Sequence, residues 1–379
     1  MTKSWSIAVR FSRLAVLTIA MSSSSFASKY FLYVGTYGKG VYAYRLDTST
    51  PTKLEPLGLT GEVTNPSFLA TDSKFRYLYA VSELEGNVDG AVAAFAIDRK
   101  TGSLRFLNSA SSNGEAPCHL AVDRSDKLVA VANYGTGNVA VFPIQSEGHL
   151  GSMSELLRAQ GSSVNRKRQE GPHAHEVVIS ADNRIAYVPD LGLDEIRMYK
   201  VDPAAEKLAP HDPPYTKAEP GSGPRHLAFS PDGKYAYVIH ELEPFITVFE
   251  HNAENGTLRP VQKVPMTPPG FKGETGPAEI AVDRAGKFVY ASNRGPGTIA
   301  VFAVNGSDGK LKQIQIAPTG DTWPRAFEFD PTGHFLFAGD QKANHFVIFS
   351  IDPASGKLSL TGEKFDVPSP VCFLFVPAE

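Results

Sequence analysis

Residues 223–250 read GPRHLAFSPDGKYAYVIHELEPFITVFE. Two short apolar runs flank the turn SPDGK, a pattern of two strands folded back on each other. Arg225 and His226 stand just before the first run, and His240 and Glu241 end the second. Folding back brings these four residues to one edge. The stretch is one copy of several.

Aligned on a proline that opens each apolar run, the copies are PSFLATDSKFRYLYAVSE (66–83), PCHLAVDRSDKLVAVANY (117–134), PRHLAFSPDGKYAYVIHE (224–241), PAEIAVDRAGKFVYASNR (277–294) and PRAFEFDPTGHFLFAGDQ (324–341). PHAHEVVISADNRIAYVPDL (172–191) fits with two extra residues at its front. The tail PVCFLFVP (370–377) supplies the first half of a seventh copy, and KYFLYVGTY (29–37) supplies the second half. The prolines recur at a period of about 50 residues. Each copy continues into a third run such as ITVFE, VAVFPI or IAVFAV, and a fourth after turns such as KTGSL, NGTL and SGKL. The expected fold is all-β: a seven-bladed β-propeller of four-stranded antiparallel blades over residues 28–379. Its ring is closed by pairing of the C-terminal strand with the N-terminal strands. An open β-solenoid or two sandwiches would not explain a copy split between the chain ends.

In a blade the first strand lines the channel and the second returns antiparallel, so every copy places two groups at one mouth. The Arg225 position holds Ser67, Cys118, His175, Ala278, Arg325 and Val371 in the other copies; that of His226 holds Phe68, His119, Glu176, Glu279, Ala326 and Cys372. At the returning end His240 corresponds to Thr36, Ser82, Asn133, Asp190, Asn293 and Asp340, and Glu241 to Tyr37, Glu83, Tyr134, Leu191, Arg294 and Gln341. Charge is costly to desolvate unless paired or used. Any one of these residues reads as part of a hydrogen-bonding belt between blades, but His175, Arg225, Glu241 and Arg294 together read as a site. Cys118 and Cys372 fall two blades apart, so free thiols are expected.

The 379-residue chain carries a net charge of −3, which gives no electrostatic reason to expect nucleic acid. Its 33 glycines and 28 prolines are spread along the chain, as many turns require. Residues 1–27 differ from the rest: Lys3, Arg10 and Arg13 precede LAVLTIA (14–20), and Ser25-Phe26-Ala27 offers a cleavage site. This reads as a secretory signal peptide, too short in its apolar core for a spanning helix, and predicts an exported protein, periplasmic or secreted. The mature chain is expected to be a monomer without a membrane partner.

The motifs NPSFLA, VANYGTGNVAVFP, GPHAHEV, YVPDLGLDEIRMY, GPRHLAFSPDGKYAYVIHEL and PRAFEFDPTG resemble those of the seven-bladed propeller lactonases. That family includes the bacterial propeller type of 6-phosphogluconolactonase and is similar to carboxymuconate-lactonizing enzyme. The resemblance covers the whole mature chain and implies a metal-independent enzyme without cofactor, acting on a small lactone. It implies a functional His at His175 or His173, two arginines at Arg225 and Arg294, and a Glu at Glu241. The short loop in GTYGKGVYAY (35–44) departs from the longer Ser/Gly-rich one usual in the family.

Hydrolysing a lactone takes an activated water, a stabilised oxyanion and a proton for the leaving ring oxygen. Glu241 or His175 can be the base with the other as acid, and Arg225 can hold the oxyanion. Arg294 with Arg325 can bind a carboxylate or phosphate. His173, His226, His240, Asn133 and Glu83 complete the expected substrate-facing set. A metal on His173 and His175 lacks a third ligand, GSGPRH lacks the Lys-Ser/Thr of a phosphate loop, and no G-x-S-x-G elbow is present. The basic run NRKRQEGPH (165–173) reads as a solvated loop or as a gate over the mouth. The leading function is opening of a glucono-type lactone; the alternatives are lactonization of a carboxylated muconate and a non-catalytic binding propeller.

Overall fold

The computed structural model describes residue 1 and residues 28–268 and 270–379; beyond Met1, the signal peptide read from the sequence lies outside the described residues. These residues form seven four-stranded sheets, each antiparallel and each running outward from its first strand. Blade 1 is the split copy: Pro370–Pro377 lies inside Lys29–Thr36, then Gly40–Asp47 and Leu54–Glu62. Blades 2 to 7 follow in chain order, with strands spanning residues 69–111, 117–158, 178–217, 224–265, 276–318 and 324–366. The closing register runs from Tyr30 opposite Pro377 to Thr36 opposite Pro370. First strands of neighbouring blades pack around the channel. The one helical element among the described residues is a 3-10 turn, Ser146–Gly148.

Alternation within a strand sends successive side chains to opposite faces. Here both faces are covered. In blade 5, Tyr237 and Ile239 pack toward blade 6, while Ala236 and Val238 pack toward blade 4. The apolar interior is therefore divided into seven clusters, one at each junction between adjacent blades. Burial on both sides explains why the strands read as continuous apolar runs.

Local chemistry fixes the turns. In blade 3, Asp123 Oδ1 accepts the backbone N–H groups of Lys127 and Leu128, and Asp283 and Asp330 do the same for their blades. Serine replaces aspartate in blade 4, where Ser180 Oγ accepts from Arg184 and Ile185.

The tyrosines of the second strands tie one blade to the next. Tyr33, Tyr79, Tyr187, Tyr237 and Tyr290 each donate a hydroxyl bond of 2.8–3.1 Å to a glycine carbonyl in the following blade: Gly102, Gly148, Gly256, Gly309 and Gly356. All five glycines have positive φ, which the turn requires. Where blade 3 has Ala130 in place of tyrosine, Ser154 bonds the equivalent carbonyl of Glu206, itself at φ 56°.

Blade 4 departs from the sequence reading in one respect. Its first strand is reduced to Val178–Ile179, because side chains replace ladder bonds ahead of it: Asp190 Oδ1 accepts His173 N–H, and His119 Nδ1 accepts Val177 N–H. Tyr237→Phe, which leaves the buried Gly309 carbonyl without its donor, should cost about 1–3 kcal/mol. A lowered denaturant midpoint is expected; an unchanged one would remove the tether from the account of ring stability.

Candidate active site

The mouth residues are aimed by β-bulges. Pro224 pairs with His240 and His226 with Ile239, leaving Arg225 as an extra residue. Cys118, Arg325 and Val371 occupy the same extra position in their blades, and in blade 6 both Ala278 and Glu279 do. Ala174 bridges Asp190, which places His175 at the equivalent point of blade 4. A bulge bends its strand and redirects a side chain, so a repeated defect in the ladder supplies the ring of inward groups.

Glu241 is the hub. Its Oε2 lies 2.9 Å from Arg225 Nε, 3.0 Å from Arg294 Nη2 and 3.9 Å from His175 Nε2. Its Oε1 accepts from Arg168 Nη2 at 2.6 Å. Burial alone would raise this carboxyl, but the guanidiniums of Arg294, Arg225 and Arg168 outweigh it and hold Glu241 well below the usual carboxylate range. It is ionised at neutral pH.

Two of the arginines are pinned by backbone. Arg225 Nη1 donates to Ala278 O at 2.6 Å, and Arg294 donates to Gly276 O at 2.6 Å and Pro277 O at 3.3 Å. Arg225 Nη1 also lies 3.1 Å from His226 Nε2. Since guanidinium only donates, that nitrogen is the acceptor, and His226 carries its proton on Nδ1, 3.0 Å from Glu279 Oε1. Glu279, His226 and Arg225 thus form a chain from the channel wall to Glu241.

The histidines here are neutral. Burial, then the Arg225 charge, holds His175 and His226 well below the ordinary imidazole range, and burial with His226 does so for His119. Cys118 donates to His175 O at 3.2 Å, and burial pushes its thiol up, which disfavours a nucleophilic thiolate. Both cysteines are free and buried.

The remaining expected residues divide into three groups. Arg325 sits 5.1 Å over the Tyr37 ring, and Tyr37 donates to Glu83 at 2.9 Å, so these three share the adjoining wall. A cavity of about 390 Å³ opens there, lined by Tyr37, Asn65, Glu83, Glu85, Arg325 and Gln341. His173 stacks on Tyr134 and is held by Tyr134 O at 2.8 Å and Glu170 at 3.3 Å. His240 and Asn133 turn into their own blades: His240 bonds Thr247 and packs on Phe245, while Asn133 bonds Ser112 O and Asn138. Their register position is the belt; Asp190, Asn293 and Asp340 there also bind backbone N–H groups.

Sequence reasoning missed Arg168. It belongs to the basic run 165–173, but nothing in that run singles out one cation of three. The reason is in the turn: Gln169 N–H bonds Asn165 O at 2.7 Å, and the buried Gln169 side chain bonds Leu191 O at 2.8 Å. This aims Arg168 at Glu241 and at Tyr134 Oη, 3.0 Å away.

A seven-bladed propeller carrying an ion-paired carboxylate beside a neutral imidazole at one mouth falls in the class of propeller enzymes. Residues 31–375 match the family described as Lactonase, 7-bladed beta-propeller. The chain is 38% identical over 297 residues to a 6-phosphogluconolactonase of Bacillus subtilis, covering 77% of this chain and 82% of that one. A 6-phosphogluconolactonase of Formosa agariphila is 33% identical over 299 residues, covering 76% and 83%. The solved Pseudomonas aeruginosa periplasmic gluconolactonase superposes with a TM-score of 0.85 at 31% identity, covering 93% of this chain and all of that one. The chain belongs to the seven-bladed β-propeller lactonase family, and it is a lactone hydrolase.

At the other end of the channel, Glu328 lies beside a cavity lined by Arg284, Phe75, Phe329 and Phe373. Burial, then Glu279, raises its carboxyl to about 7. A carboxyl raised on folding contributes stability that is present below its unfolded value and lost as pH rises through its folded one. The melting temperature of Glu328→Gln relative to the wild type should therefore rise between pH 4 and pH 8; equal differences at both values would contradict the shift.

Proposed function

We propose that this protein is an exported lactonase that opens a glucono-type sugar lactone to its aldonic acid, with His175, Arg225, Glu241 and Arg294 as the working set. The observation that carries the reading is the pairing, 3.9 Å apart, of neutral His175 with an ionised Glu241 held by two backbone-pinned arginines.

In this reading a water attacks the lactone carbonyl and gives its proton to His175 Nε2, and Glu241 stabilises the imidazolium that forms. Arg225 has its Nε and Nη1 committed to protein acceptors, so its Nη2 faces the oxyanion of the tetrahedral intermediate. Collapse breaks the bond from the carbonyl carbon to the ring oxygen, which takes the proton back from His175 and leaves as a hydroxyl. Water is thereby consumed and a carboxylic acid and an alcohol result. Arg294 and Arg325 orient the substrate, and His226 and Glu279 hold Arg225 in place.

Export is supported by the basic, apolar and small-residue order of residues 1–27 and by the periplasmic description of the Pseudomonas aeruginosa relative. The mature protein in this reading acts as a monomer, without nucleic-acid or membrane partners.

The test is hydrolysis of freshly prepared glucono-1,5-lactone and its 6-phosphate, with the spontaneous rate subtracted. Glu241→Gln and His175→Ala should each lower kcat by about 10²–10⁴-fold, the usual size of acid–base assistance, while melting curves show a folded protein. No wild-type rate above background on either lactone would reject the sugar-lactone reading and direct the search to muconate-derived lactones.

A further inference from the structure

We propose that Arg168 is the residue by which this protein selects lactones bearing an anionic group, a phosphate or a carboxylate, by exchanging its bond to Glu241 for one to that group. The inference rests on the lactonase reading and deepens it.

Four guanidiniums, those of Arg168, Arg225, Arg294 and Arg325, gather inside the mouth against Glu241 and Glu83, while burial raises the carboxyls of Glu279, to about 7, and of Glu176 and so lessens their charge. Glu85 and Glu170 stand further out on the exposed rim. The interior is thus cationic in balance, as an anionic ligand requires.

The four arginines are not equally available. Arg225 and Arg294 have side chains 3% and 9% exposed and donate to backbone carbonyls that cannot follow them. Arg325 is engaged with the Tyr37 ring. Arg168 has a side chain 42% exposed, and its bonds go to two side chains, the Glu241 carboxylate and the Tyr134 hydroxyl. Of the three guanidiniums bound to Glu241, it is the one that can turn toward a ligand without breaking a bond to the main chain.

Its loop is nevertheless built rather than loose. Gln169 is fully buried and bonds Leu191 O, Asn165 N–H bonds Gln169 Oε1, and Ser163 Oγ donates to Asp194 at 2.5 Å. Asp194 in turn accepts the N–H groups of Gly221 and Gly223, the residues leading into Arg225. The same carboxylate therefore anchors the Arg168 loop and the strand that carries Arg225.

Exchange of Arg168 has a second effect on the chemistry. While Arg168 is in place, both Glu241 oxygens are occupied by guanidinium donors. When a substrate anion draws Arg168 away, Oε1 is uncovered and the carboxylate loses one of the charges that depress its basicity. Glu241 then meets the His175 imidazolium as a stronger partner. An anionic lactone would carry its own activating group.

The experiment compares three lactones on wild type, Arg168→Gln and Arg168→Lys: neutral glucono-1,5-lactone, its 6-phosphate, and glucaro-1,4-lactone, which bears a carboxylate. The wild type should prefer one of the anionic lactones in kcat/KM. Arg168→Gln should reduce that preference about 10- to 100-fold, the size of a charge-assisted contact, mainly through KM, and Arg168→Lys should retain part of it. Which anionic arm shows the preference distinguishes phosphate from carboxylate. A preference unchanged in Arg168→Gln, or an equal loss on all three lactones, would overturn the assignment, the latter leaving Arg168 as a positioning residue for Glu241. A wild type that hydrolyses the neutral lactone without favouring either anion also overturns it while the lactonase reading stands; a wild type inactive on all three removes both.

Discussion

Closure of the ring governs everything else in this protein. Each blade buries both of its faces, so no blade has a stable surface to offer water, and the apolar interior exists as junctions rather than as one central mass. Pairing of Pro370–Pro377 with Lys29–Thr36 completes the last two junctions at once. It also sets the site. Glu241 and Arg225 come from blade 5, Arg294 from blade 6, His175 from blade 4 and Arg168 from the connection between blades 3 and 4. The other four side chains come within 4 Å of the Glu241 carboxylate because the blades are held at fixed angles around one axis.

Within that frame the mouth follows the rules for buried charge. Ions removed from water are tolerated when well paired, and removing one partner typically costs about 3–5 kcal/mol. Glu241 answers this with guanidinium donors on both oxygens, and Arg225 and Arg294 answer it with additional main-chain acceptors. The histidines answer it differently, by staying uncharged. An ionised acid beside a neutral base is what proton transfer at neutral pH requires, so the arrangement that reconciles these groups with burial also prepares them for chemistry.

The fold was legible in the sequence because each blade repeats the same local grammar: a proline, an inward run, an aspartate- or serine-fixed turn, and a return run. The split copy at the chain ends declared the closure. The register of the mouth was legible too, since the bulge at Arg225, Cys118 and Arg325 occupies a constant place after the proline. What could not be read is how neighbouring positions divide their labour. His240 and Glu241 are adjacent in sequence, yet one turns into its blade and the other into the channel, a difference set by the strand's end and not by residue type. Arg168 was hidden for another reason: its aim depends on a buried glutamine and a single turn, and such loops carry no periodic signal. The tyrosine tethers lay in plain sight as a recurring letter, but their acceptors are a whole blade away.

The direction of the first two strands in blade 1 has a consequence for how the molecule is presented. Pro370 and Thr36 lie at the mouth, whereas Pro377 and Lys29 lie at the opposite end of the same pair. The end of the chain is fastened there, with Ala378 N–H bonded to Lys29 O and Glu379 N–H to Arg99 O. Ser28 and Glu379 therefore both sit at the rear of the disc. An anchor, a fusion partner or a solid support joined at either end would hold the disc by its back and leave the opening turned toward the surrounding fluid.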